Sequence, residues 1–362
     1  SLVLKEQREI SSYPVDLDQI DEISKETYEL SEGLSESFSL EKILESTLNG
    51  ESFFHNQELI SGIKDLALYE IRNAMILGVE ILIICVVIGL LKNLSASFGS
   101  KSMSDISMLV CTMVIIGISM NSFRIVYQLA LDSVSVMVST MEILTPILLG
   151  IMISTGAVTS GSILSPVIIG SVTGFGVILK KIILPALFVA TILGLINCLT
   201  EKDYVNKLGK LIRNASLIVT GLIIAVLTGI ITIQGLITET SDSLLMSAAK
   251  YSLSTFIPIV GGFTSDTIEL FLRCMGTIKN VVGVFAVITL VLIVVVPLIK
   301  ILIIALIYKL TAAVTEPVSE SKISDGLNEM GSCLISMASI MFFCALLFIM
   351  FVSIILRIGG NA

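Results

Sequence analysis

Tryptophan is absent from the sequence, histidine occurs once, at His55, and only 14% of the residues are charged. One histidine cannot supply a His-based catalytic triad or a His-rich metal site. No GxxxxGK[ST] phosphate loop occurs, so any ATP-driven work would have to come from another subunit. The six cysteines (Cys85, Cys111, Cys198, Cys274, Cys333, Cys344) lie in or beside apolar runs. None forms a CxxC pair or metal-type spacing, and they read as small buried packing residues. His55, set among Phe53, Phe54 and Asn56, reads as a surface or packing residue. The sequence therefore predicts no enzyme, no cofactor and no metal. With aromatics at 6%, the interfacial belt of a membrane protein would be thin, and anchoring falls to seven tyrosines and to snorkelling lysines.

What the chain has in abundance is apolar surface: 54% hydrophobic residues and a mean hydropathy of +0.98. That is far above an ordinary globular domain, and the lipid bilayer is the solvent it demands. The predicted fold class is all-α: a polytopic α-helical integral membrane protein with tandem parallel repeats and Pro/Gly-broken helices, preceded by a small amphipathic helical tail. Spans of about twenty apolar residues are predicted at Ala74 to Leu91, Ile106 to Val126, Ile182 to Leu199, Leu217 to Leu236 and Cys333 to Leu356.

Charge divides the chain at about residue 73. Residues 1–73 hold six Lys or Arg against sixteen Asp or Glu, a local net of −10, which leaves +2 for residues 74–362 out of the overall −8. An acidic tail lacks the basic footprint that nucleic acid or anionic lipid requires, which excludes both as main ligands. Apolar residues in the tail recur at helical spacing: Leu17, Ile20, Ile23; Leu40, Ile43, Leu44, Leu48; Leu59, Ile63, Leu66. Ser39 and Asn56 stand at N-cap positions and Gly50 at a C-cap position. Stripes this narrow scarcely form a core alone, so the tail is expected to pack on a partner or on the membrane surface. The chain opens on Ser1 and a short apolar triplet, as after removal of a signal peptide or trimming, between which the sequence does not choose. Removal would make the tail extracytoplasmic.

Two stretches, Ile143 to Leu179 and Ser254 to Pro297, carry prolines and glycines through an apolar pattern. Pro146 and Pro258 are 112 residues apart, as are Pro185 and Pro297, and Gly117 and Gly229. This predicts repeat units at about 74–185 and 186–297 with a partial third at 298–356. Non-helical backbone at membrane depth is tolerated only where protein or a water-filled cavity supplies partners, and paired interruptions point to a transport site. A pore or cavity is accordingly expected near Pro146, Gly156, Gly161, Pro258, Gly261 and Gly262. The competing reading is that these residues only permit close helix packing. Small residues along several spans would allow a homo-oligomer as readily as packing within one chain.

Ionisable residues inside apolar runs add to the candidates. Glu80 lies mid-span and Lys300 lies in the long run from Val281 to Ile307, where an unpaired charge costs about 2.5 kcal/mol or more. The repeat brings them within a helical turn, which predicts an ion pair. Lys300 snorkelling to an interface is the alternative. Asp266, Glu269 and Arg273 share one helical face and could line a vestibule or a solvated rim. For topology, an outside tail puts Lys92 and Lys101 inside, a segment with Asp132 and Glu142 outside, and the basic segment Lys202, Lys207, Lys210, Arg213 inside. That scheme needs Ile143 to Leu179 to go in and come back, turning near Thr159 to Gly161. Its rival makes Ser162 to Leu199 one long bent span, keeps about seven crossings and puts the basic loop outside.

The acidic helical tail, the first span AMILGVEILIICVVIGLLKN, the stretch LTPILLGIMISTGAVTSGSILSPVIIG and the later FIPIVGGFTSD together resemble the stage III sporulation protein AE family of endospore-forming bacteria. The likeness runs over almost the whole chain. It implies a protein made in the mother cell with an N-terminal signal sequence, multi-pass in the membrane around the forespore. There it would be part of a channel or secretion-like complex joining the two cells. The implied partners are the other subunits of that sporulation channel complex, including ring-forming membrane proteins and a separate ATPase, and the tail would face the space between the membranes. The alternative reading is a stand-alone secondary transporter or permease for a small solute.

Overall fold

A computed structural model describes residues 57–98, 101–155, 157–199, 205–256, 261–317 and 321–358. The tail helices expected before residue 57 lie outside the described residues. All regular structure among the described residues is helical: α1 Gln57–Phe98, α2 Lys101–Ser154, α3 Val158–Ile178, a π-helical turn Leu179–Ile183, α4 Leu184–Asn197, α5 Asn206–Phe256, α6 Gly261–Thr315 and α7 Ser321–Arg357. Among the described residues, six stretches are long and apolar enough to cross a membrane: Ile71–Ile88, Thr112–Ser154, Val158–Asn197, Asn206–Gly235, Cys274–Thr315 and Lys322–Arg357. Each of the five spans expected from the sequence overlaps one of these, and Cys333 to Leu356 lies wholly inside its match. The sixth, Cys274–Thr315, takes up the apolar run that holds Lys300.

Several expectations are corrected in detail. The second span does not end near Val126; α2 runs on unbroken to Ser154, so Asp132 and Glu142 are helical residues and not an external segment. Apolar residues continue at helical spacing through Val134, Met137, Met141, Leu144 and Leu148, all buried in the core, and that continuing face carries the helix past its charges. Pro146 therefore lies inside α2 instead of breaking it, at the usual cost of a missing backbone bond. The chain reverses at Thr155–Ala157, a few residues before the predicted turn, and Val158–Asn197 then forms one long span, as the rival topology held.

That span contains a π-helical turn with a local cause. Pro185 stands in the first turn of α4 and has no N–H to offer. The ladder widens just before it, Leu184 N–H donating to Leu179 O, five residues back. Pro297 instead lies within α6, so these two prolines occupy unlike places; Pro258 lies outside the described residues. The 112-residue repeat stands as a sequence expectation.

Side-chain contacts set the directions of packing. Gly161 meets Ile153, Thr173 meets Glu142, Gly176 meets Val138, and Phe188 meets Phe123 and Tyr127, so α2 is antiparallel to the run α3–α4 along its length. Lys309 meets Asn328 while Gly283 meets Leu356, which makes α6 and α7 antiparallel. Arg213 meets Glu329 and Gly235 meets Ile354, which makes α5 parallel to α7. A Cβ on Gly78 would stand 2.8 Å from Ile307 and 3.2 Å from Thr311 Oγ1, so α1 lies against the C-terminal half of α6. α7 is at the centre, with Cys333, Met337, Cys344, Phe348 and Phe351 all fully buried.

Candidate functional site

Two successive helix starts are brought together by the hairpin order. α5 begins at Asn206 and α7 at Ser321. Both run the same way, so Arg213 and Glu329, each about two turns into its helix, fall at one depth. The Arg213 guanidinium donates to the Glu329 carboxylate in an ion pair whose side chains retain 16% and 11% exposure. The approach needs Gly194 on α4, where a Cβ would stand 3.0 Å from Glu329 Cγ. Lys309 on α6 donates to Asn328 Oδ1 and Ser332 Oγ, both at 3.1 Å. Tyr308 donates to the Ser119 carbonyl at 3.3 Å, and Ser324 to the Ala312 carbonyl at 2.7 Å. A polar layer thus ties α2, α5, α6 and α7 together at one end of the bundle, where Coulombic and hydrogen-bonded contacts are little diluted by water.

Cys198 closes this layer at the end of α4, its thiol donating to the Lys322 carbonyl at 3.2 Å. Burial first, and the nearby Asp325 carboxylate second, push that thiol up to about 11, so it stays protonated at neutral pH. A second polar lock sits at the opposite end of the bundle. Lys279, fully buried, donates to the Ile358 carbonyl at 2.6 Å. An ammonium there caps the C-terminus of α7, where free carbonyls and the helix dipole favour a cation.

The residues singled out in the sequence are distributed differently. Glu80 is exposed on α1, two residues past the Gly78 contact, and Lys300 is half-buried on α6. Pro146 is exposed on α2. Gly161 is buried, and a Cβ there would collide with Ile153, so it serves the close approach of α3 to α2. Gly156 and Pro258 lie outside the described residues. Gly261, Gly262, Asp266, Glu269 and Arg273 fall in the first turns of α6, and their side chains lie outside the described set. No group of three or more His, Cys, Asp or Glu that could hold a metal occurs among the described residues.

The buried ion pair was missed for a definable reason. Arg213 read as the last member of a basic loop, because Lys202, Lys207 and Lys210 precede it, and Glu329 stood at the polar start of the last span. The spans expected from the sequence began at Leu217 and Cys333 and left both charges outside; only the helices of the structure, which carry these spans back to Asn206 and Lys322, place each where a charge calls for a partner.

Comparison with known proteins gives two matches. A family model described as stage III sporulation protein AE matches residues 38–359. A curated protein of that description from Bacillus subtilis (strain 168) is 27% identical over 316 residues, covering 86% of this chain and 78% of that protein. No solved structure matches.

Proposed function

Because the chain belongs to the stage III sporulation protein AE family, we propose that it is the polytopic membrane component of a multi-protein channel or secretion-like apparatus connecting mother cell and forespore. In this reading it resides in the mother-cell membrane around the forespore, with its acidic tail turned away from the cytoplasm towards ring-forming partners, and a separate ATPase supplies the work. The observation that carries the reading is the breadth of the family match, which takes in the whole helical bundle and part of the tail. The bundle itself is consistent with a passive gate component: six membrane-length helices held by polar layers at both ends.

Reconstitution tests this against a self-contained transporter. The purified full chain in vesicles should move no defined small solute by itself, and passage of a tracer should depend on adding the other membrane subunits. Saturable uptake by the chain alone would establish the transporter instead.

A further inference from the structure

The outer surface of α2 is unlike the rest of the bundle. Between Asn121 and Ser154 ten positions are exposed, and only Ile125 and Ile153 among them are large hydrophobics. The others include Arg124, Gln128, Asp132, Glu142 and Gly150, with half-buried Ser139 between them. They recur at three- and four-residue steps once half-buried Ser135 and Ser139 bridge the ten residues from Asp132 to Glu142, and so form one stripe along the helix. The opposite side of α2 is spent on the core, through Phe123, Ala130, Met137, Met141 and Leu148. Elsewhere the exposed surface suits lipid: Ile218, Leu222 and Ile233 on α5, Ile76 and Ile83 on α1, Leu302 and Leu306 on α6.

The stripe is organised across the hairpin. Thr173 on α3 donates to Glu142 at 2.8 Å, Lys180 donates to Ser135 at 3.2 Å, and Gln128 donates to Asp132 at 2.9 Å. It covers 33 helical steps, or about 50 Å, more than the roughly 30 Å of a hydrocarbon core. No placement of α2 across a bilayer keeps the whole stripe out of the apolar layer. Ionisable side chains in membrane spans face water or protein, yet Arg124, Asp132 and Glu142 are exposed on the outside of the bundle, with Glu142 edged by Thr173 of α3.

We infer that the polar stripe of α2, edged by α3, is one wall of a water-filled passage whose remaining walls are further copies of this chain. A single stripe gives only one wall, so the passage is incomplete in a monomer, and closed rotational symmetry is the usual way for identical subunits to complete such a ring. In a ring, Glu142 of every copy lies at one depth and Asp132 at another. Repeated like charges are unfavourable in a dry contact between helices and favourable as rings around hydrated ions or polar cargo. The inference rests on the channel reading above and moves the conduit from within the chain to the space between chains.

The test uses the full-length chain in membranes, with Cys111 and Cys274 replaced by Ser and single cysteines introduced as Gln128→Cys, Ser139→Cys and Gly150→Cys on the stripe. Ile218→Cys and Leu222→Cys are the controls on the lipid-facing side. A charged, membrane-impermeant methanethiosulfonate should modify the stripe cysteines at least tenfold faster than the controls. Mild oxidation should give disulfide-linked homodimers from the stripe positions and not from the controls. Stripe cysteines as slow as the controls would overturn the water-filled wall. Fast modification with cross-links only to a different protein, or with none in a chain that remains monomeric, would overturn the identity of the other walls. Ser139→Cys is nearly isosteric, so loss of fold does not excuse a negative result. Solute uptake by the chain alone, with stripe modification and self-cross-linking intact, would sink the channel-complex reading and leave the passage between copies standing.

Discussion

Among individual residues, one of the two tightest fits at a described glycine is where α7 meets the end of α4, the other being Gly283 against Leu356. A Cβ added at Gly326 would overlap Cys198 Sγ, while Cys198 Cβ is 3.9 Å away. Gly326→Ala should therefore destabilise the bundle by about 1–3 kcal/mol, the usual cost of overpacking. Adding Cys198→Ala should recover most of it, because removing the sulfur frees the space that the new methyl occupies. Thermal unfolding of the three variants in detergent checks this, and a double variant as weak as Gly326→Ala would show that the strain lies elsewhere. Reactivity follows from the same contact. The Cys198 thiol is pushed up to about 11, and thiolate is the nucleophile. Its alkylation should be slow at pH 7 and accelerate only as the pH climbs towards that value, whereas a thiol of ordinary acidity would already react near pH 8.5.

For the helices, the question is what fixes one against another when the surrounding lipid is as apolar as the side chains. α5 is the least enclosed, with Ile218, Leu222, Ile233 and Ile237 all more than half exposed. Its polar anchor to the centre is Arg213 on Glu329. Glu329→Met or Arg213→Met should each cost about 3 kcal/mol by leaving one charge without its partner at a largely buried position. The double variant Arg213→Met with Glu329→Met should cost clearly less than the two single changes added together. Additive losses in a double-mutant cycle would mean that the two groups do not act as a pair. A separate exchange, Glu80→Lys with Lys300→Glu, tests the pairing expected from the sequence. Pairing would let assembly survive the exchange and suffer from either neutralisation alone; with Gly78 against Ile307 and Thr311, exposed Glu80 stands further along α6 than Lys300, so the exchange should rescue nothing. How much the sequence disclosed follows from what signals a helix in a membrane. Five of the six spans were legible at least in part, because uninterrupted apolar runs leave little alternative to a helix, while Cys274–Thr315 was obscured by the Pro/Gly-marked stretch Ser254 to Pro297. The break at Pro146 was overestimated, since in a long helix the apolar face at Met141, Leu144 and Leu148 outweighs one missing backbone bond. Neither the Arg213 pairing nor the α2 stripe could be read, because both depend on which faces of distant helices meet. Residue spacing gives a helix its faces and does not say what each face touches.

At the level of the whole molecule, packing directions and charge together orient the bundle. The contacts make α2, α5 and α7 run one way and α6 and the α3–α4 run the other. α1 joins this second group, because it passes Gly78 beside α6 and ends at Phe98, next to the start of α2 at Lys101. Six crossings in alternation put the ends near Phe98, Asn197 and Thr315 on one side and the α2–α3 turn on the other. Lys92, Lys101, Lys202, Lys207, Lys210 and Lys322 all belong to the first side, while no Lys or Arg lies between Arg124 and Lys180 around the turn. Short basic loops stay in the cytoplasm, so the first side should be cytoplasmic, and the turn, the chain before α1 and the end of α7 extracytoplasmic. A returning Ile143 to Leu179 segment would leave Lys180 and Lys181 on the outer face, against the usual charge bias. They are instead helical residues within Val158–Asn197, and Lys180 is bonded to Ser135 on the neighbouring helix. Alkaline phosphatase fused after Ser154 or at the C-terminus should be active, and fused after Leu199 or Glu316 inactive. Activity after Leu199 would require, from an outside start, an even number of crossings before it instead of three, and would overturn the alternating six-span arrangement.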